Sequence, residues 1–198
     1  MNDIVTPAAV RDYWLASLEP KDWYVENPEV DAAIRSQFLS TWETAAGGGL
    51  QDWLINADDL LSYVILCDQF PRNMFRGDGR SFATDEKARA ATHKAIANGW
   101  DLEIAEPARQ FIYVTLMHSE DLADQDRAIE MFAERMPQSG DNNHTHSLAH
   151  RWVIAQFGRF PYRNAALGRD TTPQEQTFLD DGGYRYALHM VQPESGET

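Results

Sequence analysis

The chain has 198 residues, 43% of them hydrophobic, and a formal net charge of −14 at pH 7. That length fits one domain with room for a core. The acidity argues against nucleic acid and anionic membranes as general partners, because their phosphates repel such a surface. Cys67, the single cysteine, excludes an intrachain disulfide and a thiolate metal cluster. Residues 1–18 carry Asp3, Arg11 and Asp12 without a continuous apolar stretch, so they do not read as a signal peptide. No apolar run approaches the roughly 20 residues of a bilayer span, and a cytoplasmic, reducing setting is the expectation.

Helix punctuation runs through the chain. Thr6-Pro7, Asn27-Pro28 and Thr172-Pro173 each place a capping side chain before a proline at the first helical position. Thr172 and Glu175 add a capping-box pair. Gly47-Gly48-Gly49, Asn98-Gly99 and Gly182-Gly183 read as stops. The pattern predicts helices near 7–18, 28–46, 52–70, 84–98, 107–117, 120–136, 143–158 and 173–181, with no strand alternation flanked by hairpin turns. The expected fold is all-α, with antiparallel helix pairs forming a compact array or a short solenoid. One domain over 1–185 is expected, with 186–198 as a tail and Pro193–Thr198 fraying.

One phrase is written nearly twice, about 90 residues apart. Asp68-Gln69-Phe70-Pro71-Arg72-Asn73 leads to Arg76-Gly77-Asp78, and Gly158-Arg159-Phe160-Pro161-Tyr162-Arg163-Asn164 leads to Gly168-Arg169-Asp170. Proline restricts the residue before it and donates no hydrogen bond, so each Phe-Pro marks a helix end or a kink. An arginine at such a corner presents a rigid donor fork that suits carboxylate, phosphate or carbonyl. The two segments 68–80 and 157–169 hold six arginines against two aspartates, a cationic island in an acidic protein. Such an island can focus an anionic ligand; alternatively, acids from neighbouring helices neutralise it. Trp53, Ala57, Leu60, Leu61, Val64 and Ile65 make an apolar stripe that Asp68 extends. A carboxylate on a buried face needs a partner: Arg72, Arg159 or Arg163. The second approach helix supplies Leu148, Trp152, Val153, Gln156, Phe157 and Phe160. Phe70 and Phe160 read as core anchors, and Asn73 and Asn164 as partners of free backbone groups.

His118-Ser119-Glu120-Asp121 lies between two predicted helices. Ser119 suits an N-cap, and Glu120 and Asp121 suit the positive helix end. His118 is either a general base or a hydrogen-bonded corner residue. His144, His146 and His150 cluster, but two histidines one turn apart do not make a metal site. Neither a metal nor a cofactor is expected. Phosphate loops, dinucleotide fingerprints and a nucleophile elbow are absent, and Cys67 has no identifiable base.

Together, Ile65 to Asn73 with Phe75-Arg76-Gly77, the His118 to Asp121 element with Gln125, and Phe157 to Pro161 with Arg163-Asn164 and Leu167-Gly168-Arg169 resemble the signature of the bacterial domain-of-unknown-function family numbered 924. Asp85, Ala88, Thr172-Pro173 and Glu175 fit the same pattern, and the resemblance covers about residues 10–180. Tyr162 departs from it, standing where histidine is expected. The resemblance implies an all-helical fold similar to tetratricopeptide-type stacked hairpins, a right-handed superhelix, and no activity. Three readings stay open. In a binding scaffold, Asp68, Arg72, Asn73, Arg76, Arg159, Arg163 and Asn164 hold a small anionic ligand or a peptide carboxylate. In an enzyme, His118 works with Glu120 or Asp121 in acid–base or hydrolytic chemistry on a small anion. In the third, the motifs form a structural polar network.

Overall fold

Prolines and their capping neighbours start three of the helices where the sequence places them. In the computed structural model, which describes residues 4–192, Thr6 caps α1 (Pro7–Arg11) and Asn27 caps α2 (Pro28–Ala46). Thr172 and Glu175 close a reciprocal capping box on α9 (Pro173–Asp180). The other α-helices are α3 (Ala57–Val64), α4 (Phe70–Met74), α5 (Asp85–Asn98), α6 (Gln110–Met117), α7 (Leu122–Arg135), α8 (Asp141–Phe157) and α10 (Tyr184–Val191). Short 3-10 turns and two π segments complete the list; no strand occurs among the described residues. The all-α class is therefore observed. No helix of these residues is long and apolar enough to cross a membrane.

Several boundaries differ from the sequence expectation, each for a local reason. The first helix changes from α to π geometry over Asp12–Ser17. The segment expected from 52 opens as a 3-10 turn, Gln51–Leu54, and the α-helix begins only after Asn56, whose side chain accepts from the Asp59 N–H. Ser119 does not cap α7; Asp121 does, accepting from Ala123, so the helix starts at 122. A helix over 184–191 lies beyond the double glycine read as a stop. Gly183 has φ 56° and ψ −122°, a backbone state closed to side-chain-bearing residues, and it turns the chain from the end of α9 into α10. This helix occupies the first part of the segment expected as a tail; the Pro193–Thr198 stretch lies outside the described residues.

The larger correction concerns Phe70-Pro71. It does not end its helix. A π segment, Ile65–Gln69, joins α3 to α4, and the Phe70 N–H reaches back to the Ile65 carbonyl. Proline cannot donate to the carbonyl four residues back and its ring crowds that group. One wider turn relieves the crowding and lets the helix run on past Pro71. Two carbonyls beside the proline find side-chain donors instead. Cys67 O accepts from Thr84 Oγ1 at 2.6 Å, and Asp68 O accepts from Arg72 Nη1. At Phe160-Pro161 the chain does break: α8 stops at Phe157, Gly158 takes φ 67°, and Pro161–Arg163 forms a 3-10 turn.

The fold divides into two compact units, with the division between Thr115 and Leu116 in the last turn of α6. In the first, Phe70 is fully buried among Trp14 and Phe38, with ring centroids 5.7 and 4.6 Å away. Burying one such ring stabilises by about 1.5–3 kcal/mol. In the second, Phe160 is equally buried, in a core with Ala149, Val153, Ile154, Phe178 and Ala187. Both phenylalanines are the anchors their place before proline suggests.

Candidate functional site

The first corner is built on the π segment. Asp68 is fully buried, and its carboxylate meets Arg72 Nη1 at 3.1 Å while accepting from Gln69 Nε2. Arg72 also forks onto Asp85, Nη1 and Nη2 each 2.9 Å from one oxygen, with its Cζ 5.6 Å from the Phe82 ring centroid. One guanidinium thus joins two carboxylates. Next to it, Arg76 forks onto Asp31 of α2, and Asn73 Nδ2 donates to Asp31 Oδ1 at 2.8 Å. Arg80 pairs with the exposed Asp78. Burial holds the Cys67 thiol neutral by raising its pKa, so it is no nucleophile.

In the second corner, Arg159 forks onto Glu175, with Nε 2.6 Å from Oε1 and Nη2 2.8 Å from Oε2, and Nη2 also donates to the Asp170 carbonyl at 2.8 Å. The Arg159 fork, helped by the Thr172 backbone N–H and hydroxyl, takes the Glu175 carboxyl down to about 2. Arg169 forks onto Glu120 at 2.8 and 3.0 Å. Burial would raise the Glu120 pKa, but the Arg169 fork and the Phe160 N–H outweigh it, and the carboxyl ends below its usual range. Asn164 donates to Thr171 and Glu175 and accepts from Arg169 Nε at 3.0 Å. Both corner asparagines therefore serve side chains, not the free backbone groups expected of them. Side-chain partners become available because each corner brings acids from distant segments.

His118 is held by its backbone. The buried Gln125 amide donates to the carbonyls on either side, Met117 O at 2.7 Å and Ser119 O at 2.6 Å. His118 O itself accepts from Arg163 Nη2 at 3.0 Å, while the Arg163 guanidinium lies 4.5 Å from the Phe160 ring centroid. The His118 and His150 ring centroids are 6.2 Å apart. His150 Nδ1 donates to the His146 carbonyl, and His146 Nδ1 lies 2.5 Å from the Tyr184 hydroxyl. Burial lowers the pKa of His146; burial and then the neighbouring His118 lower that of the half-buried His150 well below its ordinary range. The two acids proposed to work with His118 have other duties. Glu120 is gripped by Arg169, and Asp121 caps α7. Among the described residues no three His, Cys, Asp or Glu side chains are grouped to hold a metal ion.

An open cleft of about 430 Å³ adjoins the second corner, lined by Gln156, Phe157, Arg159, Thr172, Gln174 and Glu175. Gln156, counted with the apolar stripe of α8, is exposed instead. The corner motifs did not point to Asp31, and although Asp85 and Glu175 stood in the family pattern, nothing in the sequence paired them with Arg72 and Arg159. One signal does connect two of them: Asp85 and Glu175 each sit in the first turn of the next α-helix, where the positive helix end favours a carboxylate.

The model of a family described as "Bacterial protein of unknown function (DUF924)" matches residues 10–183. A solved structure, a protein of unknown function, ATU0120, from Agrobacterium tumefaciens, is similar at 36% identity over 89% of this chain and 97% of that one, with a TM-score of 0.83. No curated protein matches the chain.

Proposed function

Because the chain belongs to the bacterial family of unknown function DUF924, its membership brings no activity, and we propose from the geometry that it is a helical binding scaffold for a small anionic ligand or a peptide carboxylate. The observation that carries this reading is the cleft beside Arg159. Its volume falls in the range of ligand pockets, roughly 300–1,000 Å³. Arg159 is pre-positioned there by Glu175, which spends two of its donor groups and leaves Nη1 without a hydrogen bond among the described residues. A pre-positioned fork loses less entropy on binding than a mobile one.

The acid–base reading has less support, since Glu120 and Asp121 are already engaged. The reading in which the motifs are structural locks is favoured at the first corner, where Arg72, Arg76 and Arg80 all hold carboxylates. A thermal-shift series separates the readings. Carboxylates and phosphates are titrated against wild type and the double variant Arg159→Gln/Glu175→Gln, which removes both charges together. A ligand at 100 times its Kd adds about 2.7 kcal/mol, or roughly 5–10 °C for a chain of this size. A rise in wild type alone is expected. No rise with any anion would leave the corners as structural locks.

A further inference from the structure

The cleft on the second unit has a composition that distinguishes among anions. Arg159 is its one cationic side chain, and two of that side chain's three nitrogens already serve Glu175. Glu175 has a side chain only 4% exposed and stays ionised down to about pH 2. Its negative charge is thus fixed beneath the arginine, within 3 Å of it, at every physiological pH. With Nε and Nη2 occupied, only Nη1 is left to meet an incoming anion, one point of contact suited to a single carboxylate. The remaining walls are uncharged. Gln156 and Gln174 are exposed, and their amides make no hydrogen bond among the described residues. Each therefore offers two donors and an acceptor, the complement of a peptide unit's own N–H and C=O. Phe157 supplies an apolar wall, half-buried and backed by Phe178 with ring centroids 4.9 Å apart.

We infer that this cleft receives the free C-terminal carboxylate of a peptide or protein ending in an apolar residue, with Arg159 Nη1 on the carboxylate, Gln156 and Gln174 on the preceding backbone, and Phe157 against the terminal side chain. The inference rests on the binding-scaffold reading and narrows it. One guanidinium nitrogen, two amides and one aromatic wall match the three chemical parts of such a terminus. Terminal-carboxylate capture is a recurring mode of peptide recognition. A phosphorylated metabolite would need a second cation, and the cleft lining supplies none.

The test is isothermal titration of the full chain with acetyl-Gly-Ala-Leu as the free acid, the same peptide as its C-terminal amide, and inorganic phosphate. The free acid should bind at least tenfold more tightly than the amide. Gln174→Trp, which fills the cleft and keeps both members of the Arg159–Glu175 pair, should abolish binding while leaving the melting temperature unchanged. Arg159→Gln/Glu175→Gln should bind acid and amide alike; circular dichroism checks that both variants fold. Equal binding of acid and amide by wild type, or undiminished binding by a folded Gln174→Trp, overturns the inference. Binding of phosphate without peptide overturns it too, yet leaves the scaffold reading intact. If neither the peptides nor any anion of the thermal-shift series binds, both fall.

Discussion

Replacing Arg72 by methionine isolates the part of the duplicated motif that the fold depends on. The substitution keeps an unbranched stem but removes the charge between Asp68 and Asp85. Asp68 is fully buried, and the substitution takes away the guanidinium 3.1 Å from its carboxylate. Breaking a buried pair by deleting one partner costs about 3–5 kcal/mol, because the other charge stays buried and uncompensated. The Asp68 carbonyl also loses its guanidinium donor beside Pro71. Arg80→Met, in the same motif, removes a pair whose side chains are 54% and 45% exposed; such surface pairs are worth about 0–1 kcal/mol. Urea unfolding followed by near-ultraviolet circular dichroism should therefore separate the two variants by at least 2 kcal/mol, estimated as the gap between those ranges. In melting temperature, Arg72→Met should fall by roughly 6–20 °C. Adding Asp68→Asn to Arg72→Met should recover part of the loss, since the buried charge that lost its guanidinium is gone. Equal effects of Arg72→Met and Arg80→Met, or no recovery in the double variant, would refute the buried-charge argument.

Thr84→Val removes the hydroxyl that donates to Cys67 O and accepts from Trp42 Nε1. Two buried polar groups lose their partner at about 1–3 kcal/mol each, a loss measurable in the same denaturation series. Gly140→Ala places a Cβ 2.5 Å from Met136 O and 2.7 Å from Phe132 O; backbone must shift, at about 1–3 kcal/mol, and the melting temperature should drop accordingly. Acid should weaken the second unit in two stages. His146 and His150 have folded pKa values below 6.5, so the unfolded chain binds protons first, and their contribution is lost as pH falls from about 6.5 toward the folded values. Glu120 and Glu175 are also depressed, so theirs is complete above about 4.5 and lost below it, for Glu175 down to about 2. His150→Asn, which keeps a donor for the His146 carbonyl, should flatten the first stage of a stability–pH profile; an unchanged profile would remove His150 as its source.

Much of the fold was legible because its signals are local. Thr6, Asn27 and Thr172 cap helices through side chains within three residues of the groups they satisfy, so the caps could be read from spacing alone. The stripe from Trp53 to Ile65 is buried as its periodicity implies. Both phenylalanines before proline are core anchors, and Asp68 is paired with Arg72. At Pro71, where a helix end or a kink was expected, the sequence could not tell which, because the outcome depends on donors elsewhere. The wider turn keeps the helix running, with Thr84 and Arg72 serving the carbonyls beside it, and Thr84 comes from outside the helix.

The sequence alone determined the helical class, the helix-starting caps, the apolar faces and the two arginine corners. All of these follow from short-range rules of periodicity, proline geometry and charge. Tertiary structure decided what each arginine holds. Arg76 meets Asp31 across 45 positions of sequence and Arg169 meets Glu120 across 49, separations at which no spacing rule selects a partner. It also turned Gln156 outward to a cleft. Whether a guanidinium is a ligand's anchor or a carboxylate's mate is set by which surfaces packing brings together, and that information belongs to the folded chain.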